Sequence, residues 1–182
     1  YTNAEEPQIT QNLNKELQVP LNSDNINLKV AAKVDDDGTL FYEWYKALNS
    51  KMDDAEIVEG NGDTLLIDTS VPGEYYYYVK ITNSNTKVDG NKQASIYSNI
   101  IKVTVLDEYS IKYELNGGTN FEDAPISYNK LSDNINLKSP TKNGYIFDGW
   151  YSDAEFSSDK ITTINSSDSK NIILYAKWLE RK

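Results

Sequence analysis

Carboxylates are the most numerous side chains in this chain that could carry acid–base chemistry, and its 182 residues include no His and no Cys. The chain therefore lacks the reacting atoms of Ser-His-Asp triads, Cys nucleophiles, and thiolate or imidazole zinc sites. Asp148 with Asp153 or Glu155 could in principle form the carboxylate pair of a glycosidase. All three lie in turn-like sequence in an acid-rich chain, so we interpret them as solvated surface residues. We expect no catalytic residue, no cofactor and no enzymatic activity.

A run of three acids, Asp35, Asp36 and Asp37, comes directly before Gly38. Clustered carboxylates suit a hard cation such as calcium, but an EF-hand loop needs acids at alternate positions and a terminal Glu. Asp and Gly are also strong turn formers. We therefore predict a hairpin turn with no metal, and keep a calcium loop as the alternative.

A Lys to Asn isopeptide bond, which cross-links some Gram-positive adhesin domains, is a further option for reactive side chains. Lys29 or Lys33 on an early strand and Asn99 near a later one are conceivable partners. None of the three lies in a recognisable motif, so the sequence does not favour this bond.

The charge of the chain argues against several classes of partner. It has 28 acidic and 18 basic residues, a formal net charge of −10, which repels phosphate backbones and disfavours nucleic-acid binding. No apolar run approaches the roughly 20 residues of a membrane span, and no signal peptide opens the chain, so we expect no membrane insertion. Exported proteins of Gram-positive bacteria commonly lack Cys, so the absence of Cys does not argue for a cytoplasmic location. We expect export signals and wall anchors to lie outside this sequence.

Short β-type runs separated by turn residues make up the first half of the chain. Residues 1–7 are polar and aperiodic and are predicted to be a linker. The runs rich in β-branched and aromatic residues are 26–34, 41–46, 64–68, 74–81 and 99–105. Gly, Pro, Asn and Asp clusters bound them, and no amphipathic helix lies between them. This pattern predicts a β-sandwich over residues 8–106.

A second series of strands begins after a linker of only three residues, 107–109. Its runs are 110–115, 126–128, 145–151 and 171–178, so the second module spans residues 110–182. The fold class we predict is mainly β, with two modules in tandem.

The first module resembles bacterial immunoglobulin-like domains. Trp44 lies where that family places its core Trp on strand C, and Gly-Glu-Tyr-Tyr-Tyr at 73–77 resembles the entry to strand F. The resemblance makes Tyr75 the tyrosine-corner residue and places Tyr77 at the second Cys position. Ala32 or Val30 would occupy the first Cys position, with apolar packing in place of the disulfide.

The second module resembles the Listeria-Bacteroides repeat, the B-repeat family of listerial internalins. The matching residues are Asn-Gly-Gly at 116–118, the run 140–151 that ends in Gly-Trp-Tyr, and Leu-Tyr-Ala-Lys-Trp at 174–178. The family implies a small β-grasp sheet packed on a short helix or loop, and an extracellular place on the cell wall or in secreted proteins. Trp150 and Trp178 are expected to supply core area, which a module of this size needs.

One candidate partner-binding surface follows from strand periodicity. If Tyr75, Tyr77 and Trp44 point inward, the alternation turns Phe41, Tyr45, Tyr76 and Tyr78 outward on the neighbouring strands C and F. Such an apolar face usually marks a partner surface.

Two functions remain open. The first is a spacer, adhesion or protein-interaction module of a bacterial surface or secreted protein, with a host protein and neighbouring domains of the parent protein as partners. The second is a glycan-binding or accessory domain of a large secreted carbohydrate-active enzyme.

Overall fold

The computed structural model describes all residues, 1–182, and divides the chain into two compact units, Tyr1–Leu106 and Asp107–Lys182. Strands form nearly all the regular structure, and the single helical element is a short 3₁₀ turn, Ser166–Asp168. The prediction of a mainly β fold is confirmed. None of the helical structure is long and apolar enough to cross a membrane. The boundary falls at the predicted linker 107–109, whose last residue, Tyr109, is already the first residue of a strand.

Ten strands build the first unit. They are β1 (Gln8–Gln11), β2 (Glu16–Val19), β3 (Asn27–Lys29), β4 (Ala31–Lys33), β5 (Thr39–Ala47), β6 (Glu56–Val58), β7 (Thr64–Leu66), β8 (Gly73–Ser84), β9 (Gln93–Tyr97) and β10 (Ile101–Val105). The larger sheet has the order β2-β10-β8-β5-β6, and β9 pairs with the far half of β8. The pairs β1–β4 and β3–β7 face it across one core. Only β2 and β10 run parallel, and the other neighbours are antiparallel. Two layers around one core make this unit an immunoglobulin-like sandwich.

The core of the first unit contains the residues that the sequence placed inward. Trp44 on β5 and Tyr77 on β8 are 1% and 2% exposed. Val30, between β3 and β4, is completely buried, and Ala32 is half-buried against the same cluster. Val30 is therefore the more deeply buried of the two candidates for the first Cys position. Apolar packing occupies this region in a chain without Cys.

Residues 1–7 do not form the free linker that the sequence suggested. The backbone N–H of Ala4 donates to the carbonyl oxygen of Asn91 at 2.7 Å, and the N–H of Gly90 donates to that of Thr2 at 2.8 Å. Ala4 and Pro7 are buried. Polar sequence was misleading here because the bonds are made by the backbone to a loop distant in sequence, which no local pattern reveals.

The acidic run 35–37 does not form a hairpin, so that prediction was wrong. The strand before it, β4, pairs with β1, whereas the strand after it, β5, pairs with β6 and β8. The run therefore joins the two layers of the sandwich. Turn-forming residues indicate a change of chain direction, but they do not determine which sheet receives the next strand.

Six strands build the second unit. They are β11 (Tyr109–Glu114), β12 (Ser127–Tyr128), β13 (Ile135–Asn136), β14 (Tyr145–Tyr151), β15 (Thr163–Ile164) and β16 (Ile172–Glu180). The main sheet has the order β12-β11-β16-β14, with β11 and β16 parallel in the centre. A separate antiparallel pair is formed by β13 and β15. A bulge interrupts β14 at Gly149, whose φ of 130° is a conformation that side-chain-bearing residues rarely adopt.

Aromatic packing fills the core of the second unit. Trp150 is 2% exposed and lies at ring-centroid distances of 5.2 Å from Phe147 and 5.4 Å from Tyr113. Its Nε1–H donates to the carbonyl oxygen of Lys138 at 3.0 Å. Trp178 is half-buried against this cluster, and its Nε1–H also donates a hydrogen bond to a backbone carbonyl oxygen. Large rings with bonded N–H groups provide the burial that a small module needs.

Candidate functional site

The carboxylates that could have served a glycosidase are held in structural roles. Asp148 lies 3.4 Å from the ammonium nitrogen of Lys160 and 3.5 Å from that of Lys177. Asp153 accepts hydrogen bonds from the side chain and backbone of Ser157, which lower the pKa of its carboxyl group. Glu155 is exposed. The lowered pKa of Asp153 is the opposite of what a general acid needs.

Within the acidic run 35–37, the Asp36 side chain is surrounded by N–H donors. The Asp36 carboxylate accepts a 2.9 Å bond from the N–H of Glu5, a 3.0 Å bond from that of Gly38, and two 3.0 Å contacts from Asn83 Nδ2. The N–H of Glu5 is the main reason that the pKa of Asp36 falls to about 2. With its lone pairs directed at N–H donors, this carboxylate stabilises the loop and the N-terminal segment.

Two of the candidate isopeptide partners, Lys33 and Asn99, contact other groups. Lys33 lies 3.7 Å from Asp35, and both are exposed. Asn99 donates from Nδ2 to the carbonyl oxygen of Leu13 at 3.2 Å, and its N–H donates to Asn12 Oδ1. These contacts hold Asn99 to the segment before β2.

The predicted surface residues lie on the side of the larger sheet that points away from the core of the first unit. We call this side the outer face. The register pairs Tyr45 on β5 with Tyr78 on β8, and their alternation with buried Trp44 and Tyr77 turns both outward. Phe41, also on β5, is 57% exposed. The predicted orientation and the pairing of strands C and F are thus observed.

The four predicted rings do not form one continuous patch. Tyr45 and Tyr78 stack with ring centroids 4.8 Å apart and an interplanar angle of 15°. Phe41 lies two rows further along β5, beyond the row that pairs Glu43 with Lys80. Tyr76 lies in the row on the opposite side of the Tyr45–Tyr78 row, and its register partner is Lys102 on β10. Only Tyr45 and Tyr78 make direct ring contact.

Two residues that the sequence interpretation missed extend this contact. Ile57 on β6 is 64% exposed and pairs in register with Tyr45. Tyr97 on β9 is 56% exposed, pairs in register with Lys80 in the next row, and meets the ring of Tyr78 edge-on at 5.8 Å. Both lie on three- to five-residue edge strands that the sequence pattern did not indicate. Their alternation with half-buried Val58 and Ile96 is the signal that could have identified them.

The rings stand upright on the sheet. A spacing of 4.8 Å between nearly parallel rings equals the distance between neighbouring strands, so the ring faces meet each other and the edges and hydroxyl groups point outward. The hydroxyl of Tyr45 donates to Glu43, and this bond raises the pKa of Tyr45 to about 12. Burial raises the pKa of Tyr78. Both hydroxyls therefore stay protonated at neutral pH, and the hydroxyl of Tyr78 can donate a hydrogen bond to a partner.

Comparison with known proteins matches the second unit to a family. Residues 109–177 match the Listeria-Bacteroides repeat domain. The match covers less than half of the chain and leaves the first unit outside it.

Two proteins from Evansella cellulosilytica are similar to part of this chain. One, provisionally named a Gly-rich membrane protein, is 34% identical over 73 residues, and the other, provisionally named a membrane protein, is 33% identical over 79 residues. Each alignment covers 40% of this chain but only 8% and 10% of the relatives, so the chain spans a small fraction of their length.

One solved structure, the I-band fragment I67-I69 from titin, aligns with 97% of this chain and with 65% of the titin chain, at 11% identity and a TM-score of 0.30. A similarity this low supports no argument. The immunoglobulin-like assignment of the first unit rests on its own sheet order and core.

Proposed function

We propose that this chain is a non-catalytic part of a bacterial cell-surface or secreted protein, in which the two units act as spacer and interaction modules. The outer face of the first unit is the interaction surface. The observation that carries the proposal is the cluster formed by Ile57, Tyr45, Tyr78 and Tyr97, in which Ile57 and Tyr97 are more than half exposed, on a chain of net charge −10. Tyr in particular suits protein contacts, because it is rigid and amphipathic.

The second unit supports the surface assignment. Its match to the Listeria-Bacteroides repeat, together with the membrane-protein names of two relatives of the chain, agrees with an extracellular location on the cell wall or in a secreted protein. We further propose that this unit is a β-grasp module of the internalin B-repeat type. Its first and last strands are parallel neighbours in the centre of the sheet, and the β13–β15 pair takes the place of the covering helix.

The absence of catalysis is a proposal with a direct test. The chain supplies no His or Cys, and of its candidate carboxylates Asp148 is engaged in ion pairs and Asp153 caps a loop. Turnover of glycosides, peptides and phosphoesters should equal that of buffer. Activity that a single Asp or Glu substitution removes would refute this part of the proposal.

The upright rings favour a protein partner over a glycan. Sugars stack on exposed ring faces, whereas Tyr45 and Tyr78 present edges and hydroxyl groups because their faces meet each other. The rings of Phe41 and Tyr97 are more than half exposed, so they could bind a sugar, and substituting them tests the glycan alternative.

Binding to whole cells, immobilised surface proteins and glycan arrays tests the proposal. Phe41→Ser and Tyr97→Ser remove rings that are more than half exposed, so we expect lost binding with little change in melting temperature. Tyr1→Ser is the matched control, because Tyr1 is completely exposed and lies outside the outer face. Binding that survives both substitutions at unchanged stability would show that the outer face is not the interaction surface.

A further inference from the structure

We propose that the outer face of the first unit binds a second copy of itself, through a two-fold axis that runs parallel to the strands between β5 and β8. This inference rests on the proposed function and names the partner of that surface. Its support comes from the order of residues across the face, from the charges, and from the area available.

The cross-strand register makes the face self-complementary. A two-fold axis lying between β5 and β8 brings each residue of β5 opposite the residue of β8 that pairs with it within one chain. Tyr45 of one copy then faces Tyr78 of the second, and Glu43 faces Lys80 of the second copy. The axis repeats each contact, so two Tyr–Tyr contacts and two opposite-charge contacts form at once.

Glu43 and Lys80 are available for these contacts. They are paired in register on neighbouring strands but form no ion pair with each other. The ammonium nitrogen of Lys80 lies 5.9 Å from the ring centre of Tyr97, and Glu43 is exposed while it accepts the Tyr45 hydroxyl. A carboxylate accepts several hydrogen bonds, so Glu43 can also receive the Lys80 ammonium group of a second copy.

Two copies repel each other less at the outer face than elsewhere on the first unit. The first unit carries 16 acidic and 9 basic residues, and a contact between two copies elsewhere on its surface would bring like charges together. On the outer face the acids are Glu16, Glu43 and Glu74, and the bases are Lys80 and Lys102. Lys102 and Glu74 already form a 3.0 Å ion pair, which leaves this face nearly neutral.

The area of the outer face is consistent with weak binding between two copies. Four strands about 4.8 Å apart and five rows about 6.8 Å apart make a face of roughly 650 Å² per copy. The total of roughly 1,300 Å² is at the lower end for specific interfaces, and we therefore expect a weak contact, with a Kd of about 10 μM to 1 mM. Many copies displayed together would convert this weak contact into firm attachment.

Sedimentation velocity of the full chain, with variants of the Glu43–Lys80 pair, tests the inference. Wild type should dimerise within a concentration range of about 10 μM to 1 mM. Glu43→Lys and Lys80→Glu should each weaken dimerisation at least about tenfold, because each places like charges opposite one another twice. An equimolar mixture of the two variants should dimerise again, since the two basic side chains of the first variant then face the two acidic side chains of the second.

The mixture separates the interface from effects within one chain, because mixing cannot repair a contact inside either variant. Glu56→Lys and Lys51→Glu are the matched controls: they change the net charge equally, are exposed, and lie off the outer face, so they should dimerise as wild type does. A wild type that stays monomeric, or a mixture no better than its components, overturns the inference. Cell or protein binding that requires Phe41 and Tyr97 would still uphold the proposed function in that case, and glycan binding with the same requirement would make the face a sugar site.

Discussion

The hydroxyl of Tyr75 donates a 2.8 Å hydrogen bond to the carbonyl oxygen of Val71, four residues earlier. This is the tyrosine-corner geometry that the resemblance to immunoglobulin-like domains implied, and it fixes the entry of the chain into β8. Tyr75→Phe should lower the free energy of unfolding of the first unit by about 1 kcal/mol, because it removes one hydrogen bond and keeps the ring. The contact between the ring and the Lys46 ammonium group, 4.7 Å from its centre, is retained.

Urea unfolding followed through the amide resonances of β5 and β8 measures this change. Tyr76→Phe is the matched control: its hydroxyl makes no hydrogen bond within the protein, and it lies on the opposite face of the same strand. Equal stability of the two variants would show that the corner bond contributes nothing.

Trp150→Ala should destabilise the second unit by about 3–5 kcal/mol, since it removes a buried ring from the aromatic cluster and leaves a cavity. Calorimetry should show a lower transition for this unit while the amides of the first unit keep their protection. Ile146→Ala, at a half-exposed position on the same strand, is the control and should cost far less. A parental melting temperature for Trp150→Ala would show that Trp150 is not a core residue.

The alternation along β5 and β8 could be predicted from sequence because both strands are long. Over nine and twelve residues a period of two leaves little freedom, so the inward positions of Trp44 and Tyr77 followed directly. The run 26–34 was predicted as one strand, but it divides at Val30 because its halves pair with different strands, β3 with β7 and β4 with β1. Pairing partners are set by the tertiary fold and leave no local pattern.

The candidate site was predictable only in part for the same reason. Phe41 and Tyr45 lie on a strand that the sequence reveals, whereas Tyr97 and Ile57 lie on short edge strands whose β structure depends on their neighbours. The upright stacking of Tyr45 on Tyr78 depends on the register between β5 and β8, which sequence alone did not supply.

Gly90→Ala should release residues 1–4 from the first unit. A Cβ atom at this position would lie 2.7 Å from the carbonyl oxygen of Thr2 and would also collide with the side chain of Asn3. The N–H of Ala4, which donates to Asn91, should then exchange with solvent faster, as hydrogen exchange would measure. Thr86→Ala, at an exposed position of the same loop, should leave the exchange of Ala4 unchanged. Unaltered protection in Gly90→Ala would mean that the backbone tolerates the extra atom.

Acid should loosen the same N-terminal segment through Asp36. The N–H of Glu5, together with Asn85, Gly38 and Asn83, lowers the pKa of Asp36 from its ordinary value of 3.8 to about 2. Because the folded state holds the carboxylate more strongly than the unfolded state does, the stabilisation is complete above pH 3.8 and is lost as the pH falls through about 2.

The amide proton of Glu5 reports this loss directly. Its chemical shift should titrate with a midpoint near pH 2 in the wild type. Asp36→Asn should remove the titration and weaken the docking of Glu5 at neutral pH, because a neutral amide oxygen accepts hydrogen bonds less strongly than a carboxylate. Asp37→Asn, the neighbouring substitution, should leave the titration intact. A Glu5 amide that titrates near pH 3.8, or one that is unaffected by Asp36→Asn, would show that Asp36 does not hold the segment.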